Sequence, residues 1–240
     1  MNPPRTIDLA AAFAANAFTP AKLHDFIDLV HPLSSRNPFR HESARMRNWV
    51  LINLLARAGL RLDEALALHC RCLEAETDPQ TGCVSYRLHV KPVRGYGRPG
   101  RLVPLSPSLA ALIKGYVDRR SICGSDQLLA DARGRLISRA AAGRIFERVS
   151  KALTGAASAP PNACVGTNGM MTPRNLHLHG ALVRCKQFLK LGLTRDEAIQ
   201  AANALLGWEG SSMAELLLTQ PFDDALVDSW DRDFDRQGGA

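Results

Sequence analysis

"AGLRLDEALAL" (residues 58–68) is the stretch on which the fold turns. A helical stripe of Leu51, Leu54, Leu55 and Ala58 begins near Ser43 and runs into it, and Gly59 is placed to end that helix with a positive φ. A second helix is expected from about Asp63, carrying Leu66 and Leu68. Arg61 and Glu64 stand at the corner between the two, where they can form an ion pair.

Downstream the period changes from helical to alternating. "VSYRLHVKPV" (84–93) alternates and is rich in β-formers, and "GRLVPL" (100–105) is a short apolar run. Between them "RGYGRPG" supplies three glycines and a proline, which predicts a hairpin with a basic tip. An earlier strand is expected over Cys72–Ala75, closed by the turn "TDPQTG". Helices are expected at about 107–119 and 138–153, with "LLADARGRLIS" between them as a strand and turn. The result is an α+β chain, mostly helical, with a small three-stranded antiparallel sheet.

Upstream, Thr19 and Pro20 open an amphipathic helix with apolar residues at 23, 26, 27 and 30. "HPLSSRNPF" follows as a linker, and "TGAASAPPNACVGTNG" later in the chain reads as a long loop. Thr194–Glu197 and Ser212–Glu215 are capping boxes for two more helices. Residues 223–234 can form a last helix with Leu226, Trp230 and Phe234 in line, a stripe suited either to covering the chain's own core or to anchoring a partner.

The charge is uneven. Of the net +7, the last twenty residues carry −4, from six Asp and two Arg, so residues 1–220 carry +11. A basic body with an acidic tail favours a polyanion partner, above all nucleic acid. No stretch approaches the roughly 20 apolar residues of a membrane span, and Asp8 and Asn16 interrupt the only stretch resembling a signal peptide. Six scattered cysteines suggest reduced thiols and a cytoplasmic protein. His69-Cys70-x-Cys72 lacks a second half and reads as a half-buried helix end, and His177 and His179 point to different helix faces, so no metal or other cofactor is expected.

"TPRNLHLHGALV" (172–183) opens a helix after a Thr-Pro entry. Arg174 and His177, one turn apart, leave the same face of it. The order of these pieces, from "GLRLDEALAL" through "GRLVPLSPSLAALI" and "TPRNLHLHGALV" to "ALLGWEGSSMAELL", resembles the catalytic domain of the tyrosine recombinases, the phage-integrase superfamily, over about residues 43–220. In that family a tyrosine attacks a DNA phosphodiester clamped by cationic side chains. The resemblance implies that Arg61 takes the place of the first arginine and Glu64 that of the acid holding the region together. It also implies Lys91 as the hairpin lysine, with Arg94 or Arg98 as substitutes, and Trp208 at the position of a phosphate-supporting His or Trp.

Two departures follow from the same comparison. The family's His-x-x-Arg is exchanged here for Arg174-x-x-His177, and the nucleophile's position, about nine residues after Trp208, holds Leu217. The chain's three tyrosines, Tyr86, Tyr96 and Tyr116, lie far upstream. The expectation is therefore a catalytically degenerate, DNA-binding accessory or regulatory protein, of bacterial mobile-element type and associated with the nucleoid. Its phosphate contacts are expected from Arg61, Lys91, Arg94, Arg98, Arg101, Arg174 and His177.

Three parts are expected: an extension and linker (1–42), the recombinase-like domain (43–220) and an acidic helix (221–240). About forty residues before the domain are too few for the family's separate DNA-clamping domain, so binding from one side is expected. Leu226, Trp230 and Phe234 are the candidate anchor for a second copy or an active recombinase. Two alternatives remain open: an active recombinase with an unusual or trans-supplied nucleophile, and a protein-interaction module that modulates a nucleoprotein complex.

Overall fold

The computed structural model describes residues 19–91, 100–120, 126–131, 133–154, 171–208, 212–219 and 223–235. Two helices precede the Gly59–Glu64 corner, α1 (Pro20–Val30) and α2 (Glu42–Ala56). Gly59 turns the chain with φ +63°, and the Leu60 N–H reaches back to the Leu54 carbonyl at 3.0 Å. That is the hydrogen bond by which a left-handed glycine closes a helix C-terminus. The short α3 (Leu62–Leu66) starts at once, with the Glu64 carboxylate accepting from the Arg61 N–H at 2.8 Å.

β1 (Leu73–Thr77), β2 (Val84–Val90) and β3 (Arg101–Leu105) form an antiparallel sheet in the order β1-β2-β3. Leu88 pairs with Leu73 on one side and Val103 on the other, so alternate residues Leu88, Val90 and Val103 face the core. Six further helices follow: α4 (Pro107–Arg120), α5 (Arg139–Thr154), α6 (Pro173–Lys190), α7 (Arg195–Leu206), α8 (Ser212–Leu218) and α9 (Asp224–Asp235). The architecture is mostly helical with a three-stranded antiparallel sheet, as expected.

α6 is the axle of the fold. Thr172 caps it by accepting from the Asn175 N–H at 3.0 Å, and Pro173 fills the first turn, where a missing N–H costs nothing. Every residue from Leu176 to Val183 is buried. The helix packs on α2, α7, α8 and α9. Its contact with α2 is close enough that a Cβ on Gly180 would lie 2.1 Å from the Ala56 carbonyl oxygen. Ser150 of α5 ties down the entry to α6 through hydrogen bonds to both backbone groups of Met171.

The packing runs across the expected boundaries at residues 42 and 220. Leu23, Phe26 and Ile27 of α1 and Leu226, Trp230 and Phe234 of α9 belong to one core with α2, α4, α5 and the sheet. A second cluster joins α6 to α7 and α8 through Leu182, Cys185, Leu206 and Leu217. Two local expectations also change. Among the described residues of "LLADARGRLIS" the expected strand is an isolated bridge, Ala130 to Leu136, closing the expected turn, and His69 bridges Gln127 in a loop rather than ending a helix. Among the described residues, no helix is long and apolar enough to cross a membrane.

Candidate nucleic-acid interface

Four segments converge beside the α2–α3 corner: the corner itself with Arg61 and Glu64, the first residue of β3, the first turns of α6, and the end of α7. Gly207 stops α7 with φ +61° and sends Trp208 back toward α6. The Trp208 and His177 rings meet edge to face, with centroids 6.0 Å apart at 84°. Arg61 approaches the same turn, its Nη2 lying 3.5 Å from the Gly207 carbonyl oxygen.

Arg101 organises this corner from within. Its guanidinium forks onto Glu64 at 2.6 and 3.0 Å, while Nε donates to the Leu205 carbonyl at 3.1 Å. Both side chains of the pair are largely shielded from solvent. A Cβ on Gly207 would come within 2.8 Å of Arg101 Nη1, so the guanidinium lies directly against that turn. Burial alone would raise the Glu64 pKa, but the hydrogen bonds from Arg101 and the Arg61 N–H outweigh it and hold the carboxyl below its ordinary value.

The salt bridge to Glu64 comes from Arg101, while Arg61 acts on it through its backbone N–H and its charge, and Arg101 is fastened there rather than standing free on the hairpin. The reason is register: Arg101 pairs with Val90 at the base of the hairpin, against α3, and not at its tip.

His177 is buried beneath Arg61 and Trp208. Desolvation and the charge of Arg61 pull its pKa down to about 4, against a smaller upward effect of Glu64 and of a hydrogen bond to the Gly59 backbone. The ring is therefore neutral near pH 7, and its Nδ1 has no partner among the described residues. Arg174, one turn earlier on α6, is exposed. Lys91 is exposed immediately after β2, while Arg94, Tyr96 and Arg98 lie outside the described residues.

Arg61, His177 and Trp208 are thus brought together, with Arg101 behind them as support. Leu217 is fully buried on α8, packed with residues of α6 and α7. Of the described tyrosines, Tyr116 is buried in α4 and Tyr86 is half-buried on β2.

The α9 stripe covers the chain's own core, one of the two uses expected of it. Leu226, Trp230 and Phe234 are buried in the chain's own core, where Phe234 stacks on Trp49 with centroids 5.7 Å apart. Asp231 on the other side of α9 accepts from Arg184 of α6 at 2.8 and 3.0 Å and from Arg57 at 3.3 Å. Burial opposes ionisation of Asp231, but Arg184 and Arg57 prevail and lower its pKa. This cluster escaped sequence reasoning, because Arg57 and Asp231 stand 174 positions apart with no local pattern linking them.

No protein-family model matches the chain, and no curated protein matches it. Solved structures do. XerH site-specific recombinase bound to palindromic difH substrate superposes with a TM-score of 0.59 at 18% identity, over 85% of this chain and 49% of that one. XerA recombinase gives 0.55 at 17%, over 90% and 62%. A lambda integrase dimer bound to a COC' core site gives 0.54 at 15%, over 87% and 50%. The chain spans about half the length of the XerH and lambda integrase chains it matches. At these identities the likeness is one of backbone architecture, and it shows that the chain has the fold of the tyrosine-recombinase catalytic domain.

Proposed function

We propose that the chain binds double-stranded DNA through phosphate contacts without cutting it, as an accessory or regulatory protein of a recombination system. The observation that carries this reading is the corner where Arg61, His177 and Trp208 meet, with Arg174 exposed one turn before His177 on α6, combined with Leu217 buried in α8. Arginine forks suit phosphate oxygens, and a basic body supplies the long-range attraction. Cleavage needs more than attraction. An alkyl side chain has no lone pair with which to attack phosphorus, and neutral His177 brings no charge where a phosphoryl transition state gains it. Losing members of a catalytic set that act as a unit removes most of the rate.

The test is fluorescence anisotropy with a mixed-sequence duplex across a salt series, beside the Arg61→Ala/Arg174→Ala variant. The native chain is expected to bind with a steep salt dependence that flattens by about two phosphate contacts in the variant. A nicked suicide duplex run alongside is expected to give no covalent adduct. Absence of binding at low salt, or an adduct, would overturn the reading.

A further inference from the structure

A second cationic site lies at the opposite end of α2 from Arg61, about 22 Å away along a helix rising 1.5 Å per residue. There a cavity of about 330 Å³ opens between the first turns of α2, the last turn of α4 and the segment at Ala130. Arg47, Arg119 and Arg120 line it, with the Tyr116 ring, Met46 and Ala130 supplying apolar wall.

The cations here are short of counter-charge. Arg47 is half-buried and turns two of its nitrogens to the neutral Asn48 Oδ1, at 3.3 and 3.0 Å. Burial lowers its pKa from the ordinary guanidinium value, against smaller upward effects of Tyr116 and Asp131. Arg120 lies over the Tyr116 ring, with its Cζ 5.4 Å from the centroid, and spends Nη1 on the carbonyls of Gln127 and Leu128. Its Nη2 is buried without a partner among the described residues.

Asp131 and Glu42 also border the cavity. The Asp131 carboxylate is already taken by the Arg135 fork at 2.9 and 2.8 Å and by the Arg133 and Arg135 N–H groups. Glu42 is exposed. A partly desolvated guanidinium with no carboxylate bonded directly to it is costly, and an anionic occupant lowers that cost. His41, the N-cap of α2, makes no side-chain cap bond, and the Ala44 N–H donates to the His41 carbonyl at 3.0 Å, so the Glu42 and Ser43 N–H groups of this 15-residue helix add donors at the same mouth.

We propose that this cavity binds a small phosphate monoester of mononucleotide size, its phosphate on Arg47, Arg119 and the start of α2 and its body against Tyr116 and Met46. The volume falls in the range of small-ligand sites, and apolar walls with a few convergent cations are their usual make-up. The site stands apart from the DNA-binding reading, since it uses none of the same residues. DNA backbone phosphate offers the same chemistry, and the test separates the two sources.

The experiment measures thermal unfolding and calorimetric titration of the full chain with AMP, inorganic phosphate and adenosine. Arg47→Gln and Arg119→Gln are taken in parallel, and duplex anisotropy is recorded for all three proteins. Arg119 is exposed, so its variant keeps the test sound even if Arg47→Gln folds poorly. AMP is expected to raise Tm with increasing concentration, phosphate to compete weakly, and adenosine to have no effect. Each variant is expected to weaken AMP by about tenfold, the worth of one charge-assisted hydrogen bond, with duplex affinity unchanged. The proposal is overturned by a flat Tm at millimolar AMP, by equal binding of adenosine, or by AMP affinity that neither variant alters. A loss of duplex affinity in both variants without an AMP response would overturn it in favour of DNA phosphate.

Discussion

At His177 two effects act in the same direction. Burial strips water from the ring, and Arg61 places positive charge beside it, so protonation is deferred to about pH 4. An unfolded chain protonates the same ring near pH 6.5. Between those values the unfolded state binds more protons than the folded one, and stability therefore rises with pH. The contribution is fully present above about pH 6.5 and is lost as pH falls toward 4, with about 2 kcal/mol missing at pH 5. His177→Asn should flatten the pH dependence of the urea-unfolding free energy between pH 7 and 5 by that amount. Parallel profiles for the native chain and the variant would rule out the buried neutral ring as its source. Glu64 has its own linkage: its carboxyl is held below the ordinary value, so its contribution is lost at still lower pH, as pH falls through that depressed pKa. The corner is thus built to keep one histidine neutral and one carboxylate charged.

Among the elements, the α2–α6 contact sets the tightest tolerance. A methyl group at Gly180 would stand 2.1 Å from the Ala56 carbonyl oxygen, a backbone atom that no rotamer change can move. The two helices must then part, and they carry Arg61 at the end of one and His177 on the other. Gly180→Ala should cost about 1–3 kcal/mol in urea unfolding despite its gain in helix propensity. A stabilised variant would show that the helices have slack. Most of these elements were legible, because their signals are local. Thr19-Pro20, Thr172-Pro173 and Thr194–Glu197 each satisfy orphan N–H groups within one turn of where they stand in sequence. The alternation of "VSYRLHVKPV" is local too, and in β2 Leu88 and Val90 face inward. What escaped was non-local. Glu64 and Arg101 stand 37 positions apart, and which arginine Glu64 takes depends on where β3 begins and not on the helix-corner motif. The corner of Arg61, His177 and Trp208 was legible only through the family resemblance, which fixed the positions but not the burial of His177.

For the molecule as a whole, the question is what the basic body does with its acidic C-terminal helix. The apolar face of α9 completes the core against α1 and α2, with Trp230 fully buried and Phe234 between Trp49 and Trp230. Its acidic face meets Arg57, Arg184 and Lys190, including an Asp235 to Arg57 bridge at 2.8 Å and an Asp228 to Lys190 bridge at 2.6 Å. None of these three cations belongs to the Arg61 corner, so the helix neutralises the flank of the molecule while that corner keeps its positive charge. Cis and trans docking of this helix make opposite demands on one substitution. If Trp230 closes the chain's own core, Trp230→Ala leaves a large cavity and should lower the unfolding free energy by about 3–5 kcal/mol. The loss should be the same at every protein concentration, because no association is involved. If Trp230 instead anchored a second molecule, the dilute protein would lose little, and the deficit would grow with concentration as the stabilising mass action of the partner is removed. Urea denaturation of both proteins over a hundredfold range of concentration decides between them, and a concentration-independent loss is the expected result.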